Sequence, residues 1–312
     1  MDRSAGVRCD GFDCPPHGAG RAWGLLLVAR VLIDAALARR LVDVQFPQWA
    51  GLPLTPLEAA GSDHAIFRLD GELAVRLPRH ADAVGQAQKE LEWLPRLAPQ
   101  LPLAVPVPVA VGEPGFGYPW PWGVSRWLDG EVATVEALGE SAVAAVQLAG
   151  FLRALQGCAH GGAESSGEEL AERDEDTRAA IAALDGAFDG AAMTALWDAA
   201  LAAPGWGRPP VWCHGDFHTG NLLTSGGRLS AVIDFGGLAL GDPACDLTIA
   251  FTLMSPASRT AFRDALHVDE ATWARGRGWA LTTGLNAYTH YAAANPRVAA
   301  QTTRQITEAL RG

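Results

Sequence analysis

The sequence predicts an α+β fold in two parts, a small antiparallel β-rich part followed by a larger, mainly helical one. Three observations carry that expectation. Short strand-like runs, punctuated by turn residues, crowd residues 52–128. Helical periodicity dominates residues 129–312. Within that second part, a strand–loop–strand unit over residues 211–234 finishes its buried strands on polar groups. A chain of 312 residues buries a sizeable core, as one large domain or as two lobes.

Residues 1–22, rich in Gly, Pro and Cys, are expected to be disordered or an extension outside the fold. The first part then runs over 23–128. Leu26, Val31, Leu37, Leu41 and Val44 keep a roughly helical spacing and predict a leading helix. Strands are expected at 54–59, 65–69 and 73–77, joined by turns at Gly61-Ser62-Asp63-His64 and Asp70-Gly71. A helix follows at 86–97, with Leu91, Leu94 and Leu97 on one face, and a Pro-rich run from Pro99 to Pro108 ends it. Strands at 107–111 and 123–128 bring the sheet to five, with one helix after the third strand. Between those two strands, the aromatics of Tyr118-Pro119-Trp120-Pro121-Trp122 are expected to fill a core. Asp129-Gly130-Glu131 marks the crossing to the second part, 129–312. Helices are expected there at 143–155, 177–184, 191–202, 244–254, 258–266, 270–291 and 297–310, with Asp269 capping the 270–291 helix.

The chemistry concentrates in His214-Gly215-Asp216-Phe217-His218-Thr219-Gly220-Asn221 and then Ile233-Asp234-Phe235-Gly236. An Asp or Asn in a loop is usually a turn former or a helix cap. Here Val211-Trp212-Cys213 forms a short apolar strand before the loop, and a second buried strand, 229–233, ends on Asp234. Buried strands do not otherwise finish on carboxylates, so the unit reads as a site. Two carboxylates and an amide suit phosphoryl transfer from a magnesium nucleotide. One carboxylate orients an attacking hydroxyl and takes its proton, and the Asn and second Asp hold the metal. Asp216 precedes Asn221 by five positions, the spacing of the Asp and Asn in the kinase catalytic loop. His214 reads as a brace for the loop, and His218 as a packing or substrate-facing group.

A net charge of -11 argues against a nucleic-acid partner, which calls for a basic face. It suits solubility or a cationic small molecule, and charge alone does not choose between them. Asp174, Asp269 and Glu270 are the candidate acidic residues for such a molecule, and they serve equally well as solvated helix charges. Five scattered cysteines, an odd count, suggest reduced thiols in a cytoplasmic protein. The apolar run from Trp23 to Ala29 is cut by Arg30 and Asp34, so no membrane span is expected.

These motifs, with Gly241-Asp242-Pro243-Ala244-Cys245-Asp246-Leu247 after them, resemble the aminoglycoside phosphotransferase family, kin of choline kinase and distantly of protein kinases. The resemblance covers roughly residues 45–310. It implies a bilobal protein-kinase-like fold, with Asp216 as catalytic base and Asn221 and Asp234 as ligands of Mg2+. It further implies that Asp246 braces the catalytic loop and that Asp242, with Pro243, shapes the start of the next helix. Arg76 stands where the family's relatives place a phosphate-binding Lys on the third strand, and Glu90 is its implied partner. Gly61-Ser62-Asp63-His64 replaces a glycine-rich phosphate loop, with Ser62 as a candidate contact. Adenine would bond to the backbone of residues 125–128.

The implied cofactor is ATP, or GTP, with Mg2+, and the implied reaction moves the γ-phosphate to a hydroxyl of a small molecule. An aminoglycoside or related antibiotic leads as acceptor, with macrolides and cyclic peptide antibiotics behind it. A metabolic kinase for a sugar, amino alcohol or homoserine is the alternative, and a catalytically inactive nucleotide-binding module a further one. The short stretch between Asp234 and Asp242 leaves no platform for a peptide substrate. No nucleic-acid or membrane partner is expected, and the chain is read as a monomer or homodimer.

Overall fold

Strands β1 (Leu54–Pro56), β2 (His64–Leu69), β3 (Leu73–Pro78), β4 (Pro108–Gly112) and β5 (Trp122–Arg126) form one antiparallel sheet in the order β1-β2-β3-β5-β4. The computed structural model describes residues 32–57, 63–163, 165–184 and 186–312. The 1–22 extension, the start of the leading helix, the end of the 54–59 strand and Ser62 lie outside the described residues.

Side chains alternate across a strand, and β3 uses both faces. Leu73, Val75 and Leu77 enter an apolar cluster with Phe67, Leu69, Tyr118 and Trp122. Helix α1 (Ala35–Gln45) closes that cluster with Ala38, Leu41 and Val42. Asp34 caps α1 by accepting the Leu37 N–H at 2.8 Å. Arg76, on the opposite face of β3, meets helix α2 (Ala81–Leu97). α2 begins five residues before the predicted start, which the sequence conceals because no side chain caps it and Gly85 breaks the helical pattern. It runs through Pro95, which falls in the last turn.

The second part is built on a larger apolar cluster. β6 (Glu131–Val132) precedes helices α3 (Val135–Leu138), α4 (Ala142–Gly157), α5 (Asp174–Ala183) and α6 (Gly190–Ala202). Next come β7 (Val211–Cys213), the hairpin β8 (Leu222–Ser225) and β9 (Arg228–Val232), and β10 (Ala239–Gly241), which pairs with β7. β6 pairs with β8 in a three-stranded sheet, β6-β8-β9. The predicted 244–254 helix is instead a 3-10 segment, Pro243–Thr248, running into α7 (Ile249–Thr252). Three residues per turn let Asp246 point back to the catalytic loop while Ala244 and Leu247 stay in the core. Helices α8 (Pro256–Leu266), α9 (Glu270–Tyr291) and α10 (Pro296–Arg311) complete the chain. Asp269 caps α9 through the Thr272 N–H at 2.7 Å, as expected from sequence. Among the described residues, no helix is long and apolar enough to cross a membrane.

Candidate active site

The loop after β7 is held from behind by a buried carboxylate. Asp246 Oδ2 accepts the His214 N–H at 2.8 Å and Oδ1 accepts the Gly215 N–H at 2.9 Å. Burial pushes the Asp246 carboxyl up to about 7, against the pull of those two N–H donors. His214 is fully buried. Its Nδ1 accepts the Asp216 N–H at 3.3 Å, so its proton sits on Nε2 and is donated to Ile233 O at 3.1 Å. Burial lowers its pKa and keeps the ring neutral. The histidine thus ties the loop bearing Asp216 to the end of the strand before Asp234.

Gly215 takes φ +81°, and a Cβ there would run into the carbonyl of Gly237. Only glycine lets these two backbones touch. Asp216 lies at the surface of the loop. Asn221 Nδ2 donates to Asp216 O at 2.9 Å and to Asp216 Oδ2 at 3.1 Å. His218 Nε2 stands 3.5 Å from Asp216 Oδ2. Desolvation by the surrounding loop alone would raise the Asp216 carboxyl, but the hydrogen bond and charge of His218 and the Asn221 amide hold it down at about 2.

Asp234 adopts a left-handed backbone, φ 63° and ψ 72°. That region is uncommon outside glycine and marks stored strain. The Asp234 carboxylate lies 3.7 Å from Arg76 and its charge acts on both His214 and His218. Arg76 pairs with the buried Glu90 of α2, whose other oxygen accepts the Phe235 N–H at 2.9 Å. One carboxylate therefore joins the sheet, α2 and the segment after Asp234. Asp242 caps the 3-10 segment through the Ala244 N–H at 3.0 Å and holds the buried Arg275 of α9 with both oxygens, at 2.6 and 3.1 Å.

Hydrogen bonds and ion pairs therefore link Asp216, Asn221, His214 and Asp246 on one side and Asp234, Arg76 and Glu90 on the other, with His214 tying the Asp216 loop to the end of the strand before Asp234 and Asp242 one step behind. The three acidic candidates for a cationic acceptor do not join them. Asp174 accepts from Trp197 Nε1 at 2.7 Å and Arg178 at 2.8 Å. Asp269 is the α9 cap, and Glu270 pairs with Arg263 at 2.5 Å. In the 125–128 segment, the Arg126 and Trp127 N–H groups already donate to Val107 O and Glu72 O. A cavity of about 270 Å³ opens beside Asp216, walled by α9 and α10, with Trp279, Tyr291 and Gln305 among its residues. Nothing in the sequence pointed to that wall, because it depends on how two distant helices pack. A larger hollow, about 610 Å³ between α5 and α6, contains none of the site residues.

The five-stranded sheet, the helical second part and the linked site residues define a kinase-like phosphotransferase fold. The sequence matches the phosphotransferase enzyme family over residues 53–279, and the chain belongs to that family. Aminoglycoside 2'-phosphotransferase-IIIa, solved as its GDP complex, superposes with a TM-score of 0.69 at 17% identity, covering 89% of this chain and 99% of that one. The GDP and kanamycin complex of APH(2")-IIia gives 0.67 at 18% identity, over 88% and 98%. Macrolide 2'-phosphotransferase MphH from Brachybacterium faecium, an apoenzyme, gives 0.58 at 24% identity, over 88% and 97%. At these identities the likeness speaks for the fold. No curated protein matches the chain.

Proposed function

We propose that the protein transfers the γ-phosphoryl group of ATP, or GTP, to a hydroxyl of a small molecule, with residues 23–128 as the nucleotide lobe and 129–312 as the catalytic and acceptor lobe. The contacts that link Asp216, Asn221 and Asp234 with the Arg76–Glu90 pair carry this reading. A carboxylate ionised down to about pH 2 is a weak base. It suits a loose phosphoryl transfer, in which the hydroxyl loses its proton late and the main work is orientation. Asp216 would align the acceptor hydroxyl and take its proton as the new P–O bond forms.

The residues fit a magnesium nucleotide. Asn221 spends its amide nitrogen on Asp216, which leaves its carbonyl oxygen for a cation, and Asp234 offers a half-exposed carboxylate. Such hard oxygen ligands suit Mg2+, which would neutralise phosphate charge. Arg76 Nε and Ser125 Oγ are buried without a hydrogen-bond partner beside one small hollow that Glu90 also lines, an arrangement that fits a polar ligand there. Arg76 would steady the phosphates, held in place by Glu90. Ser62 stays in this reading as a phosphate contact from the adjoining turn. An antibiotic acceptor, and so a role in resistance, is supported by family membership and by the aminoglycoside and macrolide enzymes that share the fold. Free thiols at Cys158, Cys213 and Cys245 suit a cytoplasmic setting.

The test is Asp216→Ala. It should bind nucleotide as the wild type does and lose about 10²–10⁴-fold in transfer rate, the usual worth of such a group. Wild-type-like turnover in that variant, followed by ADP release, would remove Asp216 from the mechanism.

A further inference from the structure

We infer that the acceptor is an uncharged or singly charged molecule with a broad apolar face, selected by the α9–α10 wall, and this rests on the phosphotransfer reading above. The cavity beside Asp216 is where an acceptor hydroxyl must lie to reach that carboxylate. At about 270 Å³ it is slightly below the ~300–1,000 Å³ of pockets that hold drug-sized ligands, so it seats the reacting end of one. Among the described residues, Asp216 is the only carboxylate in its lining. Trp279, Ala287, Tyr291 and Val298 supply apolar and aromatic surface instead.

Four polar side chains of the wall, those of Thr248, Thr283, Thr302 and Gln305, are already engaged with the protein, and Gln301 adds a neutral amide. Thr283 Oγ1 donates to Trp279 O at 2.7 Å and Thr302 Oγ1 to Val298 O at 2.7 Å. Gln305 Nε2 donates to Ala280 O and to Thr283 Oγ1, both at 2.8 Å. Thr248 Oγ1 donates to Cys245 O at 3.0 Å. A polycation seated here would give up water around several ammonium groups and find one carboxylate in return, and that one is committed to the reacting hydroxyl. A molecule with an apolar face loses nothing by the same transfer and gains contact with the indole of Trp279. The acidic residues named from sequence lie elsewhere and are spent on Trp197, Arg178, Arg263 and the α9 cap. The chain's negative balance therefore does not reach the acceptor wall as paired charge.

The experiment uses the full chain with Mg-ATP and two acceptors, kanamycin as the polycation and a macrolide as the apolar polyol with one amine. ADP release gives kcat and KM. Calorimetry with a non-hydrolysable ATP analogue gives binding directly. The macrolide should be preferred on the order of 100-fold or more in kcat/KM. Trp279→Ala should raise its KM about tenfold or more with the KM for ATP unchanged. Tyr291→Ala, at the exposed rim, should act in the same direction and guards against a folding loss at Trp279. Gln301→Glu should narrow the gap by admitting kanamycin. Comparable or better kcat/KM for kanamycin in the wild type overturns the inference, as does binding of neither compound. Macrolide binding that depends on Trp279 without any turnover keeps the acceptor site and discards the phosphotransfer reading.

Discussion

Gly215 shows how much of this site hangs on single backbone positions. Its φ of +81° and its contact with Gly237 exclude any side chain. Gly215→Ala should cost about 1–3 kcal/mol from left-handed strain, before the Gly237 clash is counted. Activity should fall further than stability, because Asp216 is the next residue. Urea denaturation and ADP release measure the two effects separately, and an Ala variant with unchanged values for both would refute the close-approach argument. His64 is a second such position. Burial, and then the charge of Arg76, lower its pKa from 6.5 to about 3. Between those values the unfolded chain holds a proton that the native state refuses. Stability from this group is therefore complete above about pH 6.5 and is lost as pH falls toward 3. His64→Asn should flatten the acid slope between pH 6 and 4 by up to about 1.4 kcal/mol per pH unit, read from urea midpoints. At this scale Asp216, Asn221 and Asp234 were legible in the sequence because their spacing is local. The proton position on His214 was not, since it follows from the partners that folding brings to each ring nitrogen.

Elements were legible where a pattern is local and capped, and less so where packing overrides it. The α9 start at Asp269 follows from its cap, whereas the 244–254 stretch lost its α-helix to the demand that Asp246 reach back to His214 and Gly215. The alternation of β3 put Arg76 opposite Leu73, Val75 and Leu77 and so toward α2, a consequence of period two that the sequence does carry. The link from Glu90 to the Phe235 N–H joins residues 145 positions apart and has no local signature. It makes α2 a structural member of the site. Glu90→Ala would leave the largely buried Arg76 with only the more distant Asp234 and the Phe235 N–H unpaired, at a cost of up to about 3–5 kcal/mol. Glu90→Gln keeps an oxygen for Phe235 and should cost less. Both should raise the KM for nucleotide if the pair positions Arg76. A Glu90→Ala protein with wild-type denaturation and nucleotide KM would separate α2 from the site.

The whole molecule couples two apolar clusters, one around the five-stranded sheet and one through the helical part, and the proposed nucleotide site takes Arg76 from a strand of the first and Asn221 and Asp234 from loops beside the second. A ligand that bridges Arg76 on the sheet and Asn221 and Asp234 beyond it binds only when both are folded and adjacent. Binding of that kind adds RT ln(1 + [L]/Kd) to global stability, about 2.7 kcal/mol at a hundredfold excess over Kd. For a chain of 312 residues this is a rise of several degrees in the melting midpoint. Mg-ATP should produce it, and chelation of the metal should remove most of it, because the phosphates would then meet Asp234 unshielded. Asp216→Ala should retain the shift, since that residue is assigned to the hydroxyl and not to the nucleotide. Asp234→Ala should lose its metal dependence, and because alanine tolerates the left-handed backbone less well than aspartate, its apo midpoint should be unchanged or lowered. Thermal melts of the three proteins, each with ATP, with Mg-ATP and with chelator, resolve these outcomes. A metal-dependent shift that survives in Asp234→Ala would move the cation away from Asp234, and with it the assignment of the site's two carboxylates to separate tasks.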